Sequence, residues 1–292
     1  MIEKVDFDSI CIFSEDESKI NRIITLGGDG TILYAIKMFY NRKIPPIISF
    51  GLGSVGYLWW FDATNLEEVL YHWLIKERIN HPSVKDISQI NEEKDENYHP
   101  YLQYRSRLKV IVNPCWNRGT LKVNSSIFQG NFKELPCGSV LNALNELTLE
   151  SECFSAMFTV EVYLKGIFLT SVTASGLIIS TPTGSTAYNM SAGGSIVSTE
   201  VKAIWLTPLN PSTLSFRPII LPFDWNITLK VPEGVNDRPF SGWIDGDFMF
   251  QLMDGDELNV VGSESPAPFV TNEKLNSITS WINRLNSTVL SY

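Results

Sequence analysis

The chain has 292 residues and a formal net charge of −9, with 44% hydrophobic and 19% charged residues. These proportions are ordinary for a folded globular protein, and the length suffices for two domains because one core rarely grows beyond about 250 residues. The acidic balance disfavours nucleic-acid binding, which needs a basic surface. No apolar run reaches the roughly 20 residues that a membrane helix requires, so no membrane partner is expected.

The first residues and the cysteines indicate a cellular compartment. Met1–Asp6 lacks the basic region and apolar core of a signal peptide, and it is not arginine-rich like a transit peptide. The four cysteines include no Cys-x-x-Cys pair, and the three histidines have no partner at metal-ligand spacing. We therefore expect a cytoplasmic protein with reduced thiols and no metal site built from these residues.

A glycine-rich turn joins the first two predicted elements. The run Arg22–Thr25 predicts a buried strand, and apolar residues with helical spacing follow over Thr31–Asn41. A strand that enters a helix through glycines directs free backbone N–H groups and the positive end of the helix dipole at one place, which suits phosphate. The residues expected around that phosphate are Gly27, Gly28, Gly30 and Thr31.

Asp29 is the unusual member of this turn. A carboxylate repels phosphate unless it binds Mg²⁺ or takes a proton from an attacking hydroxyl, so the first hypothesis is that Asp29 is catalytic. The alternative is an ordinary tight turn in which Asp29 is the N-cap of the helix.

The following elements continue an α/β unit. Pro46–Phe50 predicts a second buried strand, and Thr64 and Glu67 have the spacing of a capping box that opens a helix. Between His81 and Tyr104 the periodicity fails and charged residues accumulate, which predicts a solvated insertion or linker.

From Arg107 onward the hydrophobic period changes to two. The run Phe158–Leu164 alternates, and a Lys165-Gly166 turn leads into the next strand. Strands dominate to about Val261, after which Asn272–Leu285 returns to helical spacing. The apolar face of that last helix is predicted to carry Leu275, Ile278, Trp281 and Ile282.

A second chemical signal lies in Gly176–Ser195, where a short apolar strand leads into a turn crowded with hydroxyl groups. Hydroxyls both donate and accept hydrogen bonds, and the glycines allow close backbone approach. Asn145-Glu146 precedes this segment, and Thr207-Pro208 and Ser215–Pro218 follow it. With the glycine turn, these blocks resemble the NAD kinase family in identity and order. The glycine turn alone is also similar to that of diacylglycerol and sphingosine kinases.

The resemblance runs from about Arg22 to Val270. It implies a Rossmann-like N-terminal α/β domain, a C-terminal β-sandwich domain and a last helix that returns to the first domain. On this basis residues 1–104 with 271–292 form the α/β domain, and residues 105–270 form an all-β dinucleotide-binding domain. The implied activity is phosphorylation of the 2′-hydroxyl of the adenosine ribose of NAD, or of NADH, with ATP and Mg²⁺. The implied assembly is a homodimer or homotetramer.

Residue roles follow from the same resemblance. Asp29 matches the base that activates the ribose hydroxyl, with the glycine turn around the transferred phosphate. The residues that match the NAD site are Tyr57, Asn145, Glu146, Ser175, Thr183, Thr186, Ala187, Tyr188 and Asp245. The alternatives are core packing for the two tyrosines, a turn or strand cap for Asn145, and a plain turn for Asp245.

The chain also departs from the family pattern. Ser175 stands where an aspartate is expected, Leu149–Glu152 lacks an Asp-Arg-Gly, and Ser198-Thr199 replaces a His-Pro pair. About twenty residues precede the glycine turn, fewer than the usual first strand and helix need. These departures indicate a divergent or N-terminally shortened member.

Two other functions compete with the kinase. A non-catalytic dinucleotide-binding or regulatory relative would fit the missing carboxylate at Ser175, although the retained Asp29 argues against it. A lipid kinase would share the glycine turn but has no reason to carry Asn145-Glu146.

Overall fold

The computed structural model describes residues 20–39, 43–53, 56–71, 73, 100–115, 119–124, 133–152, 156–213, 215–272 and 278–288. The α-helices of this part of the chain are α1 (Asp29–Lys37), α2 (Leu66–Leu70), α3 (Tyr188–Ser191) and α4 (Ile278–Thr288). Two 3₁₀ turns span Ala63–Asn65 and Thr183–Thr186. The strands are β1 (Ile23–Leu26), β2 (Ile47–Gly51), β3 (Phe61–Asp62), β4 (Pro100–Arg105), β5 (Leu108–Asn113), β6 (Thr120–Asn124), β7 (Lys133–Pro136), β8 (Ser139–Ala143), β9 (Glu146–Glu150), β10 (Phe158–Leu164), β11 (Ile167–Ala174), β12 (Gly176–Ser180), β13 (Ala203–Leu209), β14 (Ile219–Pro222), β15 (Ile227–Lys230), β16 (Phe240–Ile244), β17 (Phe248–Leu252), β18 (Glu257–Gly262) and β19 (Ala267–Asn272).

The first sheet is mostly parallel, in the order β1-β2-β19-β4, with β3 beside β2. β1, β3 and β19 run parallel to β2, whereas β4 runs antiparallel to β19. Ile32 and Ile36 of α1 and Leu285 of α4 share one core with Ile47 and Phe269 of the sheet. The last helix therefore packs on the first domain, as the sequence predicts.

The other two sheets are antiparallel and enclose a second core. One has the order β11-β10-β15-β18-β5-β8 and the other β14-β13-β12-β9-β16-β17-β6-β7. The alternating residues Leu108, Val110 and Val112 are fully buried between them. The two-residue turn at Lys165-Gly166 has positive φ at both positions, which matches the twist of the hairpin β10–β11.

These features confirm the predicted fold class, an α/β domain joined to a β-sandwich. The strands β4 and β19 span the predicted boundaries at residues 104 and 270, and both belong to the first sheet. None of the helices described is long and apolar enough to cross a membrane.

Several predicted boundaries need correction. α1 begins at Asp29, two residues before the expected start, with Gly28 as its N-cap. The predicted linker is wrong at its end, because Pro100–Arg105 forms β4, and its earlier part lies outside the described residues. In β4 the buried side chain is Arg105 while Tyr101 and Leu102 are exposed, so hydrophobic alternation does not reveal the strand.

Two helix predictions are also wrong in detail. The cap before α2 comes from Asp62, whose carboxylate accepts hydrogen bonds from the backbone N–H and the hydroxyl of Thr64, rather than from a Thr64–Glu67 box. In α4 the exposed fractions of Ile278 and Ile282 are 78% and 44%, whereas Leu285 is buried. Trp281 packs against the core together with Leu285, so the prediction is right for Trp281 and wrong for Ile278 and Ile282. The predicted Leu275 lies outside the described residues.

Candidate active site

The glycine turn leaves the amino end of α1 open. The N-cap Gly28 supplies no side chain, and no side-chain hydrogen bond caps the helix. Gly27 has φ +148, and a Cβ there would collide with the hydroxyl of Thr31. A Cβ on Gly28 or Gly30 would meet no described atom within 4 Å. The fold therefore requires Gly27, whereas Gly28 and Gly30 leave open space in front of the helix dipole, where an anion fits.

Asp29 is the first residue of α1, and the N-cap is Gly28, so the predicted capping position of Asp29 is wrong. Its carboxylate accepts hydrogen bonds from the backbone N–H groups of Tyr57, at 2.7 Å, and Leu58, at 2.8 Å. The approach is close because Gly56 has no side chain: a Cβ there would lie 3.1 Å from Asp29 Oδ1 and would collide with the Trp59 ring. Asp29 is thus fixed at the amino end of α1, with lone pairs remaining on both oxygens.

Asp245 organises the turn that contains Asn145-Glu146. Its carboxylate accepts backbone N–H bonds from Leu144 at 2.9 Å, Asn145 at 2.7 Å and Glu146 at 3.2 Å. The backbone of Asp245 has φ +48, a conformation that aspartate adopts more readily than most residues. Both carboxylate oxygens accept backbone hydrogen bonds, so Asp245 fixes the conformation of the turn that carries Asn145 and Glu146.

The carboxyl groups here have altered acidity. Burial raises the pKa of Glu146 to about 8, and the nearby Asp245 carboxylate adds to the rise. Burial also raises the pKa of Asp245, opposed by its three backbone hydrogen bonds and by the charge of Lys37. Lys37 Nζ lies 3.2 Å from a carboxylate oxygen of Asp247, which ties the end of α1 to the turn after β16. At neutral pH Glu146 is protonated, and its carboxyl can both donate and accept hydrogen bonds.

Hydrogen bonds join the hydroxyl-rich segment to the turn that carries Asn145 and Glu146. Thr181 Oγ1 donates to the carbonyl of Leu144 at 2.6 Å, and Ser180 Oγ donates to that of Asn145 at 3.2 Å. A Cβ on Gly184 would collide with the Asn145 carbonyl. Part of the hydroxyl crowding is therefore structural.

Two buried polar atoms near this turn remain without a partner among the described residues: Thr183 Oγ1 and Glu146 Oε2. The neighbouring Thr186 and Ala187 are half-buried, and Tyr188 is 40% exposed. Burial raises the pKa of Tyr188 to about 12, and hydrogen bonding to a Glu150 carboxylate adds to the rise. A ligand could contact hydroxyl groups, a carboxyl group and an aromatic ring here.

Ser175 lies at the opposite end of β12. Glu146 pairs with Ser180 and Glu150 with Gly176, so the two ends are about 13 Å apart along the strands. The Ser175 hydroxyl donates to the carbonyl of Leu209 at 3.0 Å and accepts from the Asn210 amide at 3.2 Å. The predicted NAD residues therefore form an elongated strip along β9 and β12, with Tyr188 reaching Glu150 at the Ser175 end.

The predicted residues thus form two groups. Asp29, the glycine turn and Tyr57 make the first, and Asn145, Glu146, Asp245 and the Thr183–Tyr188 segment make the second. Helix α1 joins them, with Asp29 at one end and Lys37 about 12 Å away at the other.

Sequence reasoning missed several cations beside these groups, among them the buried Lys37 and Arg105 and the half-buried Arg284. Arg284 Nη1 donates to the carbonyls of Tyr57, at 2.9 Å, and Trp59, at 2.8 Å. The Arg105 guanidinium lies 5.3 Å from the centre of the Tyr57 ring. The only sequence signal for Arg284 is its place one turn after Trp281 on a helix.

Comparison with protein families identifies the chain. A family model of the ATP-NAD kinase N-terminal domain matches residues 10–78, and one of the ATP-NAD kinase C-terminal domain matches residues 144–272. The chain belongs to the NAD kinase family. The two matches include the glycine turn, Asn145-Glu146, the hydroxyl-rich segment and Asp245.

Relatives of this NAD kinase family member include two enzymes of Saccharomyces cerevisiae. Its mitochondrial NADH kinase is 34% identical over 253 residues, covering 84% of this chain and 51% of the relative. Its NAD(+) kinase is 36% identical over 265 residues, covering 89% of this chain and 44% of the relative. The chain thus spans about half the length of the curated relatives it matches.

Two solved structures have a fold similar to that of this chain. A crystal structure of yeast NADH kinase complexed with NADH has a TM-score of 0.71 and 31% identity, covering 94% of this chain and 66% of that one. An NAD kinase from Archaeoglobus fulgidus in complex with ATP has a TM-score of 0.63 at 23% identity, covering 94% of this chain and 86% of that one. The second likeness concerns the fold alone.

Proposed function

We propose that this protein is a kinase that transfers the terminal phosphoryl group of ATP to the 2′-hydroxyl of the adenosine ribose of NAD or NADH. The observation that carries the proposal is the position of Asp29, whose carboxylate is held by two backbone N–H groups at the uncapped amino end of α1. The names of the yeast relatives, an NADH kinase and an NAD(+) kinase, support the choice of substrate.

In the proposed reaction Asp29 accepts the proton of the 2′-hydroxyl as its oxygen attacks the terminal phosphorus. The bond between that phosphorus and the bridging oxygen breaks, ADP leaves, and the proton remains on Asp29. Phosphoryl transfer depends on positioning and charge stabilisation. Gly28 and Gly30 leave the N–H groups at the start of α1 open to the phosphate.

The second group of residues would hold the dinucleotide. A protonated Glu146 and the unpartnered hydroxyl of Thr183 can donate to and accept from a ribose diol. The Tyr188 ring could pack against a ring of the dinucleotide. The strip toward Ser175 is long enough for an extended ligand. Asp245 would act indirectly, by fixing the backbone of Asn145 and Glu146.

Magnesium belongs to this proposal as the ion carried by the phosphates of ATP. The described residues contain no group of three or more His, Cys, Asp or Glu side chains that could hold a metal ion. Mg²⁺ bound through substrate phosphates needs only one or two carboxylates from a protein.

The deciding experiment measures NADP formation from NAD and ATP by the purified chain, and repeats it with NADH and with polyphosphate as the donor. Formation of NADP that is abolished in Asp29→Asn supports the kinase. Tight NAD binding without turnover under all these conditions would instead support a non-catalytic dinucleotide-binding relative, the alternative that the serine at position 175 favours.

The expected homodimer or homotetramer also stays a prediction. It is supported by β11, an edge strand whose Ile167 and Phe168 side chains are 75% and 52% exposed, since exposed apolar edges are typical of interfaces. Light scattering gives the molar mass directly, and Ile167→Lys should reduce the molar mass if the β11 edges of two subunits pair.

The cytoplasmic location also stays a prediction, and imaging of the tagged protein tests it.

A further inference from the structure

A chamber of roughly 300 Å³ lies between the segment Tyr57–Trp60, strand β4, helix α4 and the loop at Ser198–Glu200. We name it the arginine chamber because the buried Arg105 and the half-buried Arg284 line it. Its lining residues are Tyr57, Trp60, Gln103, Arg105, Ser198, Thr199, Glu200, Ile278, Trp281 and Arg284.

Arg105 is buried and forms no ion pair with a described carboxylate, although the Asp29 carboxylate is near enough to attract its charge. It is 2% exposed, and its Nε and Nη1 atoms have no hydrogen-bond partner among the described residues. Its guanidinium instead lies near the rings of Tyr57, Trp60 and Phe269, with centroids 5.3, 5.9 and 5.3 Å away. Burial of an unpaired charge is costly, so a guanidinium in this environment favours an anion beside it.

The residues that line the chamber contain donors without a partner, although each of these donor atoms is itself enclosed by protein. Besides Arg105, the buried donors without a partner in the described part of the chain are Arg284 Nε, the Tyr57 hydroxyl, Trp60 Nε1 and Trp281 Nε1. Gln103 Oε1 is the unpartnered acceptor among the lining residues. A group that carries several acceptor oxygens and a negative charge, such as phosphate, matches the chemistry of the two guanidinium groups.

The charges of the lining residues agree with this chemistry. Burial lowers the pKa of Arg284 to about 9, and the positive charge of Arg105 lowers it further in the same direction. The carboxylate among the lining residues belongs to Glu200, which is exposed. An anion between the two guanidiniums would relieve their mutual repulsion.

The chamber is separate from the glycine turn. The described residues contain no cis peptide, so the carbonyl and the N–H of the Tyr57–Leu58 peptide point in opposite directions. The carbonyl accepts from Arg284, and the N–H donates to Asp29. A phosphate bound by the arginines would therefore lie on the other side of this peptide from Asp29. Ser198 and Thr199, which replace the His-Pro pair, form part of the chamber wall.

We propose that the arginine chamber binds a phosphate-bearing anion, held by Arg105 and Arg284 at a position distinct from that of the transferred phosphoryl group. The phosphate could be carried by a nucleotide or by free polyphosphate, and both present the same oxygens to the guanidiniums. This inference does not require phosphoryl transfer by Asp29.

Calorimetry with sodium tripolyphosphate tests the site on the purified chain. We expect Arg105→Gln and Arg284→Gln each to weaken tripolyphosphate binding at least tenfold. The matched control is Arg238→Gln, which removes an exposed arginine of the other domain and should leave binding unchanged. Equal affinity in all four proteins, or an equal loss in the control, would overturn the proposal.

A further variant distinguishes binding in the chamber from binding at the glycine turn. Gly30→Asp places a negative charge in the open space before α1 without a steric clash. It should leave at least one equivalent of tripolyphosphate bound. Loss of all binding in Gly30→Asp, with full retention in Arg105→Gln, would place the anion at the glycine turn and refute the chamber.

Tryptophan fluorescence provides a readout that does not depend on removing an arginine. Trp60 and Trp281 line the chamber, so tripolyphosphate should change the emission, and Trp281→Phe should diminish that change. Unchanged emission at saturation would contradict the proposal. A loss of ATP affinity in Arg105→Gln that equals the loss of tripolyphosphate affinity identifies a nucleotide as the source, whereas unchanged ATP affinity in that variant identifies free polyphosphate.

Discussion

Asp29 and Arg284 hold one peptide group from opposite sides. The N–H of the Tyr57–Leu58 peptide donates to the Asp29 carboxylate at 2.8 Å, and its carbonyl accepts from Arg284 Nη1 at 2.9 Å. Arg284 comes from the last helix and Asp29 from the first, so two segments distant in sequence fix the same loop. The position of the proposed base thus depends on the docking of α4.

Replacement of Asp29 by asparagine should lower kcat by at least about 100-fold, because the amide cannot accept the ribose proton. The amide also keeps only one of the two backbone hydrogen bonds, so a modest decrease in melting temperature is expected as well. Steady-state kinetics and thermal melting measure the two effects separately.

Asp62→Asn is the matched control for that variant. Asp62 also accepts two hydrogen bonds, from Thr64, but one of its oxygens accepts both, so asparagine can preserve them. Its turnover should equal that of the wild type. Unchanged turnover in Asp29→Asn would exclude Asp29 as the base.

We expect substitutions at two glycines of the glycine turn to have different effects, because Gly27 is required by the fold and Gly30 faces the proposed phosphate site. Gly27→Ala should destabilise the fold by about 1–3 kcal/mol, because φ +148 and the Thr31 hydroxyl both exclude a side chain. Gly30→Ala should keep or raise the melting temperature, since alanine favours a helix and meets no atom there. The same variant should raise KM for ATP at least tenfold. Normal ATP kinetics in stable Gly30→Ala would show that phosphate does not approach this position.

Local patterns predicted the elements whose burial follows from their own sequence. The alternation over Phe158–Leu164 and the Lys165-Gly166 turn specify a hairpin. The apolar run before Gly27 specifies β1, but the expected burial of this strand is wrong because Ile24 and Leu26 are exposed. The glycine turn was predictable for the same reason, because it needs only a strand, glycines and a helix in succession.

Long-range contacts account for what the sequence did not reveal. β4 is stabilised by pairing with β19, which lies more than 150 residues away, and its inward residue is an arginine. Asp245 contacts the backbone of Asn145, a residue 100 positions earlier. No periodicity or local motif encodes such contacts, so the arginine chamber and the support of the Asn145-Glu146 turn appeared only in the structure.

Asp245→Asn tests whether Asp245 positions Asn145-Glu146. An amide keeps the oxygen that accepts from Asn145 and Glu146 but loses the bond from Leu144, so we expect a loss of about 1–3 kcal/mol in stability. NAD affinity should fall while ATP affinity is kept. The control is Asp254→Asn, which alters a carboxylate that accepts one N–H from Gly234 at the surface. Equal losses for NAD and ATP in calorimetry would favour a general structural role.

Glu146 makes stability depend on pH in a defined direction. Burial and Asp245 raise its pKa in the folded protein to about 8 from the ordinary 4.5. Between these values the folded state binds a proton that the unfolded state lacks, so the free energy of unfolding falls as pH rises. Above about pH 8 Glu146 is ionised in both states, and its contribution no longer changes. Glu146→Gln removes this proton, so its stability relative to the wild type should increase from pH 5 to pH 8 and then level off.

Chemical denaturation of both proteins at several pH values checks the relation. A difference between wild type and Glu146→Gln that stays constant from pH 5 to pH 9 would show that Glu146 ionises normally in the folded protein. In that case its carboxyl could not act as a hydrogen-bond donor to the ribose at neutral pH, and it would have to bind the diol as a carboxylate that only accepts hydrogen bonds. NAD affinity measured over the same range distinguishes the two forms, because loss of the donor should weaken binding only above pH 8.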